Sequence, residues 1–106
     1  MSKPLTVIAF ARAKRSRVAE AREALLALVM PTRAEKGCLN YDLLQSDEDP
    51  TQFAFYENWL SDAALEAHAQ SAHIEAFRKI APQILESPAE ITRWRIVAPA
   101  APKKSV

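Results

Sequence analysis

Two histidines and one glutamate could carry proton chemistry in this chain. His68 and His73 are its only histidines, five residues apart in "LEAHAQSAHIEAF", and Glu57 lies just upstream in the aromatic run "FAFYENW". An imidazole titrates near ~6.5 and exchanges a proton at neutral pH with little tuning. A carboxylate among aromatic rings is costly unless it is paired or protonated. These are parts of a general acid–base site, with His68 as the base and His73 or Glu57 orienting it or holding a second substrate oxygen. The plainer reading is two core-edge imidazoles that donate to backbone carbonyls, and an edge acid paired with Arg93 or Arg95.

Other chemistries find less support. Two histidines five apart lie ~140° apart on a continuous helix, unlike the spacing of four that puts zinc ligands on one face, so no metal site is expected. Gly37 is the single glycine, too few for the loops that cradle nucleotide phosphates. Formal net charge is +1 with no basic stripe, which argues against nucleic acid. Cys38 is the single cysteine, so no internal disulfide forms, and its flanking residues, Gly37 and Leu39, offer no basic partner to activate the thiol. No apolar run approaches the ~20 residues of a membrane span, and "MSKPLTVIAFARAK" lacks a signal-peptide core, so a cytoplasmic, cofactor-free protein is expected.

The elements that must position these groups follow from the hydrophobic pattern. The length of 106 residues suits one domain. Leu5–Ala13 reads as a strand. A helix follows, with Ser16 as N-cap, a stripe through Val18, Ala21, Leu25, Leu28 and Val29, a kink from Pro31 and a stop at Gly37. Cys38–Ser46 and Thr51–Trp59 form a hairpin across the polar turn Asp47–Pro50. Ser61 and Asp62 open a second helical region with a break expected near Gln70–Ala72, where Ser71 caps again. Ala89–Val97 is the last strand. Residues 1–98 thus form a ferredoxin-like βαββαβ domain of the α+β class with a four-stranded antiparallel sheet, and 99–106 a loose tail.

Both sheet faces carry apolar side chains, while two helices cover only one. The bare face is expected to pack on a second copy, giving a homodimer. On the helix side Phe55, Glu57 and Trp59 share one strand face. His68 and His73 flank a helix stripe whose small residues, Ala69, Ala72 and Ala76, leave volume for a pocket. Tyr41 could add a hydroxyl, and Phe77 an aromatic wall.

The segments "GCLNYDL", "FYENW" and "AALEAHAQSAHIEAF" resemble the antibiotic biosynthesis monooxygenase domain of the dimeric α+β barrel superfamily, over nearly the whole chain except the tail. The resemblance implies a dimeric barrel of two ferredoxin-like subunits. It also implies one of several activities: cofactor-free oxidation of quinols or anthrones, haem degradation, or isomerisation of a phosphorylated sugar. The position of the haem ligand in the haem-degrading branch falls on Arg78, which cannot bind iron, and the first strand lacks that branch's asparagine, so haem degradation is disfavoured. Trp59 matches a substrate-contacting tryptophan of the anthrone branch, but that branch's asparagine is Phe55 here. His68 and His73 match the small quinol-monooxygenase-like members. The resulting expectation is an enzyme that oxidises a small aromatic quinol or phenol with O₂. His68, His73 and Glu57 would be catalytic, Phe55, Trp59, Phe77 and Tyr41 would line the substrate, and neither metal nor cofactor would be needed. The alternative is an isomerase or binding module for a small carbonyl metabolite, with Arg78 and Lys79 as candidate phosphate contacts.

Overall fold

The computed structural model describes residues 4–98; the expected tail, 99–106, lies outside the described residues. The chain runs β1 (Leu5–Arg12), α1 (Val18–Leu26), α2 (Val29–Arg33), β2 (Cys38–Gln45), β3 (Gln52–Trp59), α3 (Asp62–Ala69), α4 (Ala72–Ile84) and β4 (Glu90–Trp94). All neighbouring strands are antiparallel, in the order β2-β3-β1-β4. This is the expected ferredoxin-like α+β arrangement, with each of its two helical connections broken in two.

The breaks have local causes. Pro31 has no N–H to give the Ala27 carbonyl, and there the chain turns, with Leu28 donating instead to Leu25 (3.1 Å). Ser71 ends one helical segment and starts the next: its hydroxyl donates to the His68 carbonyl (2.7 Å) and accepts from the Ile74 N–H (3.4 Å). Ser61 caps α3 the same way, accepting from Ala64 (3.2 Å). Ser16 does not cap α1. It sits in a short 3-10 turn, Arg15–Arg17, and Arg17 precedes the helix without a side-chain cap.

Alternation along β1 and β3 sorts the sheet into two faces. Leu5, Val7, Ala9 and Ala11 of β1, with Phe53, Phe55, Glu57 and Trp59 of β3, are buried beneath the helices. Trp59 is fully buried, and emptying a site of that size costs about 3–5 kcal/mol. The opposite face carries Ile8 and Tyr56 in register, Phe10 beside Ala54, and Trp94 beside Thr6. Phe10, Tyr56, Trp94 and Leu44 are exposed there. A polar chain crosses this face: Thr6 donates to Asn58 (2.6 Å), and Asn58 to Asn40 (2.8 Å). Strict alternation fails in β2, where the register shifts between Cys38 and Asn40. Leu39 is expelled to solvent and Cys38 packs toward the core, the reverse of what strict alternation with the buried Tyr41 would give.

Candidate active site

The turn ahead of β2 builds one half of the site. Helix α2 ends at Arg33, so Gly37 is not its cap. The Cys38 N–H donates to the Glu35 carbonyl (3.2 Å) and closes a β-turn with Gly37 at its third position. Gly37 has φ +90° there, the sign a type II turn requires. The turn also lies hard against α3. A Cβ on Gly37 would stand 2.6 Å from the Ala64 Cβ, closer than two carbons approach. Ala64 and His68 are four residues apart on the same helix face. Packing the glycine on Ala64 therefore delivers the Glu35 side chain to the His68 ring.

The Glu35 carboxylate accepts from both histidines through one oxygen: His68 Nδ1 at 2.7 Å and His73 Nε2 at 2.8 Å. The Ser71 hydroxyl lies 3.2 Å from the same His73 nitrogen. The break at Gln70–Ser71 brings the two rings to one carboxylate, because α3 and α4 are separate helices and the ~140° separation of a continuous helix does not apply. His68 is buried, with its ring tilted against Trp59 (centroids 4.7 Å) and edge-on to Tyr41 (5.5 Å). Burial lowers its pKa below the ordinary imidazole value, against the opposing pull of Glu35.

Glu57 forms the other half. It lies on β3 with Val7 on one side and Tyr41 on the other, and is only 3% exposed. Its partner is the Trp59 indole, whose Nε1 donates to Oε1 at 2.8 Å. Arg93 and Arg95, the expected ion-pair partners, reach Asp62 instead (2.8 and 3.0 Å). Burial pushes the Glu57 carboxyl up to about 7; the indole N–H pulls it down and Glu35 adds to the rise. The Tyr41 hydroxyl is driven far above its ordinary value by burial and then by Glu57, so it is a neutral donor at physiological pH.

Between sheet and helices lies a cavity of about 720 Å³, within the range of small-molecule sites. Glu57, His68, Tyr41, Phe55 and Phe77 all line it, so five of the seven residues singled out from sequence converge there. The other two sit behind its wall. Trp59, expected to stack on substrate, has no exposed surface; it braces His68 and holds Glu57. His73, expected on the pocket border, faces Glu35 from the far side. The room comes from Ala9 and Ala11 on β1, Ala69 on α3 and Ala81 on α4. Ala72 and Ala76 point to solvent, because α4 turns Ile74, Phe77 and Ala81 inward instead. Lys14, Arg78 and Arg93 also line the cavity, whereas Lys79 is exposed outside it. Sequence reasoning passed over Glu35; the "EKGC" turn signal beside a strand was its only trace.

A four-stranded antiparallel sheet with helices over one face, enclosing an apolar cavity that holds an imidazole and a buried carboxyl, defines a ferredoxin-like α+β protein with a candidate acid–base site. The antibiotic biosynthesis monooxygenase family profile matches residues 4–80, and the chain belongs to that family. A Mycobacterium tuberculosis relative named "Putative monooxygenase Rv0793" is 34% identical over 92 residues, 87% of this chain and 90% of its own length; its structure superposes with a TM-score of 0.86. The crystal structure of PA3566 from Pseudomonas aeruginosa, 39% identical, covers 92% of this chain and 98% of its own, with a TM-score of 0.87. An uncharacterised Synechocystis protein, sll1783, is 34% identical over 68 residues, 64% of this chain, which spans 46% of that longer relative. Among the described residues no helix is long and apolar enough to cross a membrane.

Proposed function

We propose that this protein is a cofactor-independent monooxygenase that oxidises a small hydroquinone- or phenol-type aromatic with O₂ in the cavity beneath α3 and α4. The observation that carries the reading is His68: its Nδ1 is taken by Glu35, and its ring sits in the wall of an apolar cavity that also holds Glu57. With Nδ1 as the donor to Glu35, the nitrogen left for substrate is Nε2, with a free lone pair. Nε2 takes the proton of a substrate hydroxyl, and the Glu35 carboxylate steadies the imidazolium that forms. The aromatic anion is electron-rich enough to reduce O₂ directly, and Phe55 and Phe77 provide flat apolar walls. Glu57, protonated near neutrality, hands a proton to the peroxide oxygen as the O–O bond breaks. For a hydroquinone the balance is hydroquinone plus O₂ giving hydroxyquinone plus water. One oxygen atom enters the ring, and the substrate supplies all four electrons. The name borne by Rv0793 agrees with this class of reaction.

The protein is proposed to work as a homodimer through the sheet face that carries Phe10, Tyr56 and Trp94, since aromatics exposed together on one bare sheet face call for cover. A free Cys38 fits a cytoplasmic, reducing setting. The decisive experiment is O₂ uptake with a panel of hydroquinones in flavin-free, metal-free buffer, with ¹⁸O₂ labelling. One labelled atom in the product and one in water is the expected result; no uptake across the panel, or product without label, overturns the reading. Sedimentation of a folded monomer at micromolar concentration overturns the dimer.

A second reading is favoured by the cavity's cations. Arg78 donates to the Ala69 carbonyl (2.8 Å) and Lys14 to the Pro82 carbonyl (2.9 Å), so each keeps its charge for an anionic carbonyl substrate. In that case His68 moves a proton α to the carbonyl, and exchange of substrate hydrogen with deuterated solvent proceeds without O₂.

A further inference from the structure

We propose that Glu35, His68 and His73 form a binding site for a divalent transition-metal ion of the zinc type, and that occupying it takes His68 out of service as a base. The first half stands independently of the reaction; the second rests on the oxygenase reading above. The side chains come from three separate segments: the turn before β2, the end of α3 and the start of α4. Two imidazole nitrogens and a carboxylate oxygen converge within 4.8 Å of one another, and the side chains are only 8%, 21% and 16% exposed for His68, His73 and Glu35. Two histidines and a carboxylate make a donor set that suits zinc and its neighbours, with a fourth position left for water. Ligand atoms about 2.0–2.2 Å from a tetrahedral ion stand roughly 3.3 Å apart. The 2.7 and 2.8 Å contacts to Glu35 would therefore open by about half an ångström, while the two imidazole nitrogens, which lie within 4.8 Å of each other, would close toward the same spacing. A dication would add to the single negative charge of Glu35 with two neutral imidazoles.

The consequence for His68 follows from its tautomer. Without an ion, its Nδ1 carries the proton and points it at Glu35. An ion needs the Nδ1 lone pair, so the proton must move to Nε2, the nitrogen left for the cavity. A ring that presents N–H to the substrate cannot take the substrate's proton. The same carboxylate that orients the base thus also completes a site that silences it.

The test uses the full, untagged chain, stripped with a chelator and titrated with Co²⁺ and Zn²⁺. The expected result is one Co²⁺ per chain with visible bands of a four- or five-coordinate ion, displaced by Zn²⁺. Glu35→Gln and His73→Ala should each weaken binding at least 100-fold, while Cys38→Ser should not. Ring ¹⁵N shifts of the wild-type protein decide the case even where a variant misfolds: Zn²⁺ should move His68 from the Nδ1–H to the Nε2–H form. No ion bound at millimolar concentration, undiminished binding in both variants, or unmoved ring signals overturns the site. Where hydroquinone turnover is found, Zn²⁺ should abolish it and chelator restore it; full turnover by the Zn²⁺-loaded chain overturns the exclusion. An absence of oxygenase activity sinks the proposed reaction, and the Co²⁺ and ¹⁵N results still decide the ion site.

Discussion

Glu35 and Glu57 are both carboxylates drawn away from solvent, and they keep different company. Glu35 shares one oxygen between two imidazoles and does not line the cavity. Glu57 has a single neutral donor, the Trp59 indole, and apolar walls around it. The first arrangement makes a carboxylate that can steady a positive imidazolium. The second leaves a carboxyl that holds its own proton near neutrality. Two glutamates 22 residues apart in sequence are thus suited by their neighbours alone to different parts, one to an orienting acceptor and the other to a proton donor, the separation recognised in acid–base sites generally.

The largest effect should fall on the ring that joins the two halves. His68→Ala should lower turnover per folded molecule by ~10²–10⁴-fold, the usual cost of losing a general base, and His73→Ala should cost far less. Because His68 is buried and bonded to Glu35, its truncation should also lower stability by about 1–3 kcal/mol. Turnover must therefore be normalised to the folded fraction from a melting curve. Full activity per folded His68→Ala molecule would remove the base and collapse the contrast between the two carboxylates.

Much of this contrast is legible in the sequence because strands and caps leave local marks. Glu57 can be placed with Phe53, Phe55 and Trp59 because side chains in a strand alternate strictly, and the break near Gln70–Ala72 because Ser71 is a capping residue inside the helical pattern. Glu35 is not legible. Its partners lie 33 and 38 residues away, and a polar residue in a turn carries no periodic signal. Gly37 misleads for a related reason. A positive φ suits a helix cap and a β-turn equally, and only the end of α2 at Arg33 and the Cys38 N–H bond to the Glu35 carbonyl distinguish them. The direction of α4 is hidden because alanines at 72 and 76 fit an apolar stripe as well as an exposed helix face. The bulge that expels Leu39 leaves no mark in "CLNYDL", where Leu39, Tyr41 and Leu43 alternate with Asn40 and Asp42 as in a regular strand.

Glu57→Gln sharpens the other side of the comparison through pH. The folded carboxyl sits at about 7, against an ordinary value of 4.5. Below pH 4.5 it is protonated in both states and costs nothing. Between 4.5 and 7 the unfolded chain releases the proton and the native one keeps it, so stability falls as pH rises. Above 7 the deficit is complete, on the order of 3 kcal/mol. Glutamine keeps an oxygen for the Trp59 N–H and removes the charge. The variant should melt higher than wild type at pH 8 and alike at pH 4.5. His68 contributes a trend of opposite sign, with stability lost as pH falls below its ordinary value, but it is present in both proteins and cancels in the difference. A gap in melting temperature that does not change with pH would mean that Glu57 is not held protonated.

Glu35→Gln tests the orienting half with a smaller expected effect. Both rings bond to the same Glu35 oxygen, so glutamine can keep an oxygen there for the two N–H groups while the charge is lost and both bonds weaken. Turnover should fall ~10–100-fold with His68 still in place, the usual range for a group that acts through another. The limb of the rate profile that reports the base should move to lower pH, because the imidazolium loses its anion. Aspartate at this position, with its carboxylate a methylene further back, should recover part of the loss. A drop in stability without any movement of that limb would make Glu35 a purely structural acceptor.

Ser71→Ala should produce the smallest change and reaches the geometric root of the site. The hydroxyl donates to the His68 carbonyl, accepts from the Ile74 N–H and touches His73 Nε2, so it fixes the angle at which α4 leaves α3. That angle lets rings five residues apart meet at one carboxylate. Losing an N-cap of this kind costs about 1 kcal/mol, and the packing of Phe77 and Ile84 should keep α4 in place. His73, on the first turn of α4, depends on the cap directly, whereas His68 is clamped by Trp59 and Tyr41. Ser71→Ala should therefore loosen the His73–Glu35 bond more than the His68–Glu35 bond. Exchange of the two ring N–H protons in the variant measures this, and equal acceleration at both rings would show that the serine does not set the junction.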